Sequence, residues 1–233
     1  MNSMKSTPFL AGVAAALLLS ACDQPAPWAR AAAAPQPSQA VRNERAQAVA
    51  WNEGAGRFEL RGAPLRTGRI WTFDGATDGF VLAGGEVLPS TPAGLEVRNL
   101  GPDAALRSPK GLALDGGRYS LVLVRLTRTR AGAEWDGDLF YSTQAHGETG
   151  GFRAKPADGG DPAPGETVVL VYDMANLKAG GDDWIASLID QIRLDTDDAS
   201  GGAFVVHQVA VTENPGAAAL AQSPLRTARI ADR

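Results

Sequence analysis

Apolar and polar positions along the chain fall into short alternating runs, not into a helical repeat. Such runs occur at 57–61, 68–73, 79–82 and 94–98. The strongest, 119–129, reads Tyr-Ser-Leu-Val-Leu-Val-Arg-Leu-Thr-Arg-Thr. Its first half is apolar on both faces, as expected in the middle of a sandwich, and its second half alternates Leu126 with Arg and Thr. Further runs follow at 138–143, 151–154, 167–173, 191–195 and 203–212. Turn clusters separate them: Asp115-Gly116-Gly117, then 147–151, 158–165 and 197–202. About ten short strands with Gly-rich breaks predict an all-β, jelly-roll-type sandwich. One helical turn is expected at 183–188, with Asp182 or Asp183 as its cap. No internal repeat is visible.

The two ends read differently. Lys5 gives a positive start, and the apolar stretch 9–20 is too short to cross a bilayer of about 30 Å as a helix. It ends in Leu19-Ser20-Ala21-Cys22, which resembles the lipobox of bacterial lipoproteins. The resemblance implies a signal peptide over 1–21, diacylglycerol on the Cys22 sulfur, cleavage before Cys22, and acylation of the new amine by a chain such as palmitate. Several acyl chains anchor a protein stably. An ordinary secretory signal also has small residues before its cut, but leaves unexplained why the sole cysteine stands there. Asp23 resembles an inner-membrane sorting signal, so the expected location is an envelope membrane facing the periplasm, inner favoured and outer still open. Residues 22–50, rich in Ala and Pro, are expected to form a flexible tether spanning on the order of 30 Å, with Trp28 incidental or an interfacial foot. The sandwich is expected over 51–213, and 214–233 as a disordered or loosely docked tail.

Composition narrows the function. The 233 residues include 27 Gly and 15 Pro, which suits many turns, and a net charge of −4 argues against nucleic acid as a partner. Residues 41–70 carry six Arg against three Glu, whereas 132–200 carry fourteen acids against four basic residues. The acidic stretch reads as a solvated surface, or as a face for a cation or basic partner. One cysteine excludes an internal disulfide and any multi-cysteine metal site.

Several segments taken in order carry a second resemblance: Trp71-Thr72-Phe73-Asp74, Gly79-Phe80, Gly94-Leu95, 119–130, 137–143, 168–174, Trp184, 189–195 and 205–211. This order is similar to the galactose-binding-like β-sandwich of carbohydrate-binding modules, over roughly 69–212. In that group an apolar strand ending near Tyr-x-Asp precedes a Trp, and an Arg-Leu-Asp strand then leads into the last strand. The chain departs from it twice. Trp184-Ile185-Ala186-Ser187 lacks a Gly, and His207-Gln208 stands where an acid is frequent. The resemblance implies the fold more than a ligand.

Sugar recognition uses an aromatic face flanked by planar polar groups. Trp135 and Tyr141 bracket one strand start, with His146, Glu148 and Arg153 beyond it, and Trp184 sits beside Asp182 and Asp183. The candidate ligand residues are therefore Trp135, Tyr141, His146, Arg153, Asp183 and Trp184. Trp71, in a strand, is expected in the core. Asp195 to Gly201 fails as an EF-hand, since Ala199 and Ser200 occupy its key positions. A structural calcium, with Asp74 or Asp195 as a ligand, remains an option beside ordinary turns. No G-x-S-x-G or H-E-x-x-H motif occurs. His207 lies in an apolar strand and reads as structural, and His146 lies in a polar loop. Three functions stay open: an anchored module that binds envelope glycan without chemistry, a scaffold docking on another envelope protein, or a polysaccharide hydrolase or lyase.

Overall fold

The computed structural model describes residues 44–91 and 94–221. The signal segment, Cys22, Asp23, Trp28, most of the tether and residues 222–233 lie outside the described residues. In chain order the strands are β1 (Val49–Asn52), β2 (Arg57–Leu60), β3 (Ala63–Pro64), β4 (Thr67–Trp71), β5 (Val81–Ala83), β6 (Gly85–Thr91), β7 (Gly94–Asn99) and β8 (Ala105–Arg107). They continue with β9 (Leu114–Asp115), β10 (Leu121–Arg130), β11 (Leu139–Thr143), β12 (Arg153–Ala154), β13 (Thr167–Asp173), β14 (Leu188–Asp195) and β15 (Ala203–Thr212), followed by the short helix α1 (Ala217–Ala221).

The chain forms the expected all-β sandwich. One six-stranded sheet runs β13-β10-β15-β7-β6, with β4 also on β15; the other runs β12-β11-β14-β8-β5, with β9 also on β14. Val122, Val124 and Leu126 of β10 and Val168, Leu170 and Tyr172 of β13 face the second sheet, meeting Leu139, Tyr141, Ile192 and Leu194 in the main core. Burying each such side chain contributes about 1.5–3 kcal/mol.

The opposite face of the first sheet is also dry, for a reason beyond the sandwich itself. Strands β1, β2 and β3 form a small third sheet. Val49, Phe58, Leu60 and Leu65 pack there against Leu121, Leu123, Val169 and Val171. Strands covered on both faces become continuously apolar. That is why β10 reads Leu-Val-Leu-Val.

The first described residues, from Glu44, fall inside the expected tether 22–50 and are already tied to the sandwich. Arg45 N–H donates to Thr167 O at 2.8 Å. The Gln47 side-chain amide both donates to Val169 O (2.8 Å) and accepts from Val169 N–H (2.7 Å). It thereby pairs with the edge of β13 as a strand would, which satisfies backbone groups that an edge leaves open. At the other end, α1 packs Ala219 and Leu220 on the third layer, so the start of the expected tail is docked.

Other differences are local. Strand β6, which pairs with the predicted β7, and the short β8 extend the sheets through segments whose pattern is too weak to read, β6 containing Pro89. The predicted helical turn at 183–188 is a string of turns running into β14. Gly94 opens β7 at φ +121°, and a Cβ there would sit 2.5 Å from Val206 O. Only glycine fits that approach.

Candidate functional site

Strand β11 alternates Leu139 and Tyr141 into the core with Phe140 outward. The Tyr141 ring is fully buried and meets the Trp184 ring edge-on at 4.9 Å. Its hydroxyl donates to Asp183 Oδ2 at 3.0 Å. Past the end of β11 the chain turns back, and His146 Nε2 reaches the same Asp183 Oδ2 at 2.8 Å. His146 Nδ1 lies 2.9 Å from Gly147 O. Both ring nitrogens therefore face acceptors, and Asp183 Oδ1 takes neither of these two bonds. Phe152 stacks flat on the imidazole at 3.5 Å, with 8° between the planes. Burial, and after it the Asp183 carboxylate, push the Tyr141 hydroxyl well above the ordinary tyrosine range, so it remains a donor.

The loop carrying His146 is pinned across the outer face of the second sheet. Arg107, Arg193, Phe140 and Arg153 stand in register on adjacent strands. Glu148 accepts from Arg107 Nε at 2.9 Å. It also lies 3.8 Å from Arg193 Nη1. The Arg193 guanidinium lies 4.8 Å from the Phe140 ring centre, a cation–π contact. The result is a row of planar cations, carboxylates and an aromatic ring, leading to the His146–Asp183 pair. Arg107, Arg193 and Phe152 were not among the sequence candidates. An Arg flanked by apolar residues in a strand, as in Ile192-Arg193-Leu194, is the one signal that marks such a face.

The structure thus brings Tyr141, His146 and Asp183 together and separates the other candidates. Trp184 belongs to the core, a correction to its expected place in a ligand loop: it is fully buried and its Nε1–H donates to Tyr119 O at 3.0 Å. Trp135 lies before β11, at the end opposite His146. Its half-buried ring tilts on Phe204 at 6.0 Å and lies 5.3 Å from the Arg128 guanidinium. It caps the buried Arg128–Asp197 ion pair instead of standing free as a stacking platform. Arg153 is exposed and pairs with buried Asp138 at 3.2 Å. Lys155 joins the same carboxylate at 2.8 Å and also pairs with Asp136. Burial pulls Lys155 down, but those two carboxylates outweigh it and hold it above the ordinary lysine range.

The two acids considered for calcium are committed elsewhere. Asp74 accepts from the Thr72 hydroxyl at 2.8 Å. Buried Asp195 holds Arg193 through both oxygens, at 2.6 and 2.5 Å. Among the described residues no group of three or more His, Cys, Asp or Glu is placed to hold a metal ion. The donor set around Asp195, completed by a guanidinium, does not fit calcium. His207, expected to be structural, lies in a buried network with Thr127, whose hydroxyl is 2.7 Å from Nε2.

Fold and site together define a three-layered β-sandwich with a polar, aromatic-flanked cluster at one rim. No family model matches the chain, and no curated protein matches it. Solved structures similar to it include a family 29 carbohydrate-binding module from Piromyces equi, at 13% identity and TM-score 0.42, covering 64% of this chain and 87% of that one. The N-terminal cellulose-binding domain of β-1,4-glucanase C from Cellulomonas fimi aligns at 15% identity and TM-score 0.38, over 65% of this chain and 98% of that one. The C-terminal family 6 module of a marine laminarinase from Zobellia galactanivorans aligns at 16% identity and TM-score 0.33, over 62% and 98%.

Proposed function

We propose that this chain is a lipid-anchored envelope protein whose sandwich binds carbohydrate without chemistry. The observation that carries the binding reading is the convergence of Tyr141, His146 and Asp183, flanked by Phe152, on the rim of the second sheet. An imidazole, a carboxylate that meets both partners through Oδ2 alone, and a nearby row of guanidiniums are groups suited to sugar hydroxyls. An aromatic ring beside them suits the apolar face of a pyranose. Binding is favoured over hydrolysis because His146 has both nitrogens engaged, leaving none to take a substrate proton in this arrangement. The anchor rests on Cys22 and the segment before it, with the periplasmic face as its location and the inner membrane favoured by Asp23.

Retention on a panel of insoluble and immobilised polysaccharides tests the binding. The wild type should be retained on at least one, and His146→Ala and Asp183→Asn should lose retention while keeping their melting temperature within a few degrees. Failure to bind any glycan would move the reading to a scaffold. Mass measurement of the protein isolated from membranes, against Cys22→Ser, tests the anchor.

A further inference from the structure

The last part of the basic stretch, residues 61–70, runs along one sheet edge. Among the described residues strand β4 pairs with β15 alone, and residues 61–70 hold three Arg and no acid. Arg61, Arg66 and Arg69 are all exposed. Arg66 O accepts from Glu213 N–H at 2.8 Å, and Glu213 in turn receives Arg118 Nε at 3.1 Å. This places Arg118 beside Arg66. The Tyr119 ring lies against Gly68, where a Cβ would meet it at 2.8 Å, and Arg118 sits 5.0 Å from that ring's centre. Arg61 reaches the start of the C-terminal region by donating to Ala219 O at 2.8 Å. Four arginines thus surround β4, with Glu213 and Asp115 the acids beside Arg118, in a protein whose net charge is −4.

We infer that this basic edge rests on an anionic phospholipid surface. Guanidiniums are weakly hydrated and match phosphate oxygens bidentately. The inference rests on the anchor reading for its partner. Cys22 stands twenty-two residues before Glu44, and that much chain reaches at most about 75 Å. The sandwich is therefore held within reach of the bilayer, where a weak charged face becomes an effective contact. Charges on an edge strand also hinder unwanted strand pairing, so the test must separate the two roles.

The full chain bearing Cys22→Ser, which carries no acyl group, is sedimented with vesicles of equal parts phosphatidylglycerol and phosphatidylcholine, and with phosphatidylcholine alone. It should bind the anionic vesicles, lose them as salt rises, and leave the neutral ones free. Arg66→Glu with Arg69→Glu should weaken that binding roughly thirty-fold or more, with the melting temperature unchanged. Equal binding to both vesicles would overturn the inference, because the apolar 9–20 segment would then suffice. Unchanged binding by the double variant would also overturn it, leaving the arginines as guards of the edge. So would capture by dextran sulfate without capture by vesicles. Absence of acylation on Cys22 in cells would sink the anchor reading alone, since the vesicle result does not depend on it.

Discussion

Arg128 Nη2 lies 2.6 Å from Asp197 Oδ1, and both side chains are sealed from solvent. Asp197 Oδ2 also accepts from Gly132 N–H at 3.1 Å. Gly202 leaves room for that carboxylate, for a Cβ there would run into it. Burial nevertheless raises the Asp197 carboxyl above the ordinary aspartate range, with Arg128 pulling against it. Breaking a buried pair on one side costs about 3–5 kcal/mol, and Arg128 would keep only the exposed Asp161 at 3.3 Å and Pro162 O at 3.2 Å. Asp197→Ala should therefore lower the unfolding free energy by about that amount. Arg128→Met combined with Asp197→Leu should cost less than Asp197→Ala alone. Urea unfolding of the three proteins checks this, and a double variant worse than the single would contradict it.

Trp184 gives a sharper separation of roles. With its ring between Tyr141 and the main core, Trp184→Ala should destabilise by about 3–5 kcal/mol. Trp184→Phe keeps most of the packing but loses the bond to Tyr119 O, costing about 1 kcal/mol. Thermal unfolding distinguishes these sizes. A Trp184→Ala protein of unchanged stability that no longer held a glycan would put the ring back in a binding loop.

The strands that were legible are those whose chemistry allows one answer. The bounds 167–173 and 203–212 match β13 and β15 because Val-rich runs, broken in β15 only by His207-Gln208, leave no competing structure. The third layer was not legible, since β1 (Val-Ala-Trp-Asn) and β2 (Arg-Phe-Glu-Leu) are short, and their cover is visible only as a both-sided apolarity of β10. Gln47 illustrates the limit: nothing local in Ala-Gln-Ala predicts an amide that imitates a strand 122 residues away. In the site, residue types could be read but partners could not. Asp183 meets His146 across 37 residues and Arg107 meets Glu148 across 41. Trp184 was misplaced because its burial depends on Gly116, whose missing side chain makes space for the Trp184 backbone. A glycine in a turn does not name the neighbour it admits.

Asp195 sets a pH dependence. Burial lifts its carboxyl to about 6, against the opposing pull of Arg193. The folded protein therefore holds a proton that the unfolded chain, at the ordinary value near 4, does not. Stability from this group rises as pH falls through that window, and is lost as pH climbs through 6. Other carboxylates act in the opposite sense, Glu166 being held low by Arg45, so the comparison must be with Asp195→Asn. Relative to that variant, the wild type should gain unfolding free energy between about pH 7 and pH 4. A constant difference across the range would show that the group is not shifted upward.

The third layer is expected to fold with the sandwich and not as an appendage. Phe58 is fully buried, edge-on to Trp51 at 5.1 Å, and shares its cluster with Leu121 and Leu123 of the central strand. Gln47 and the bidentate ion pair between Arg125 and Glu44, at 3.0 and 2.8 Å, tie the segment leading into that layer to the same sheet. Phe58→Ala removes a large side chain from an interface whose other side would otherwise be wet, so it should cost about 3–5 kcal/mol. Because the lost contacts include β10, the loss should lower hydrogen-exchange protection in β10 and β13 as well as in β1 and β2. A single unfolding transition shifted as a whole would agree with that coupling. Two transitions, with β10 amides protected as in the wild type, would instead make the small sheet an independent unit whose opening exposes Leu121 and Leu123.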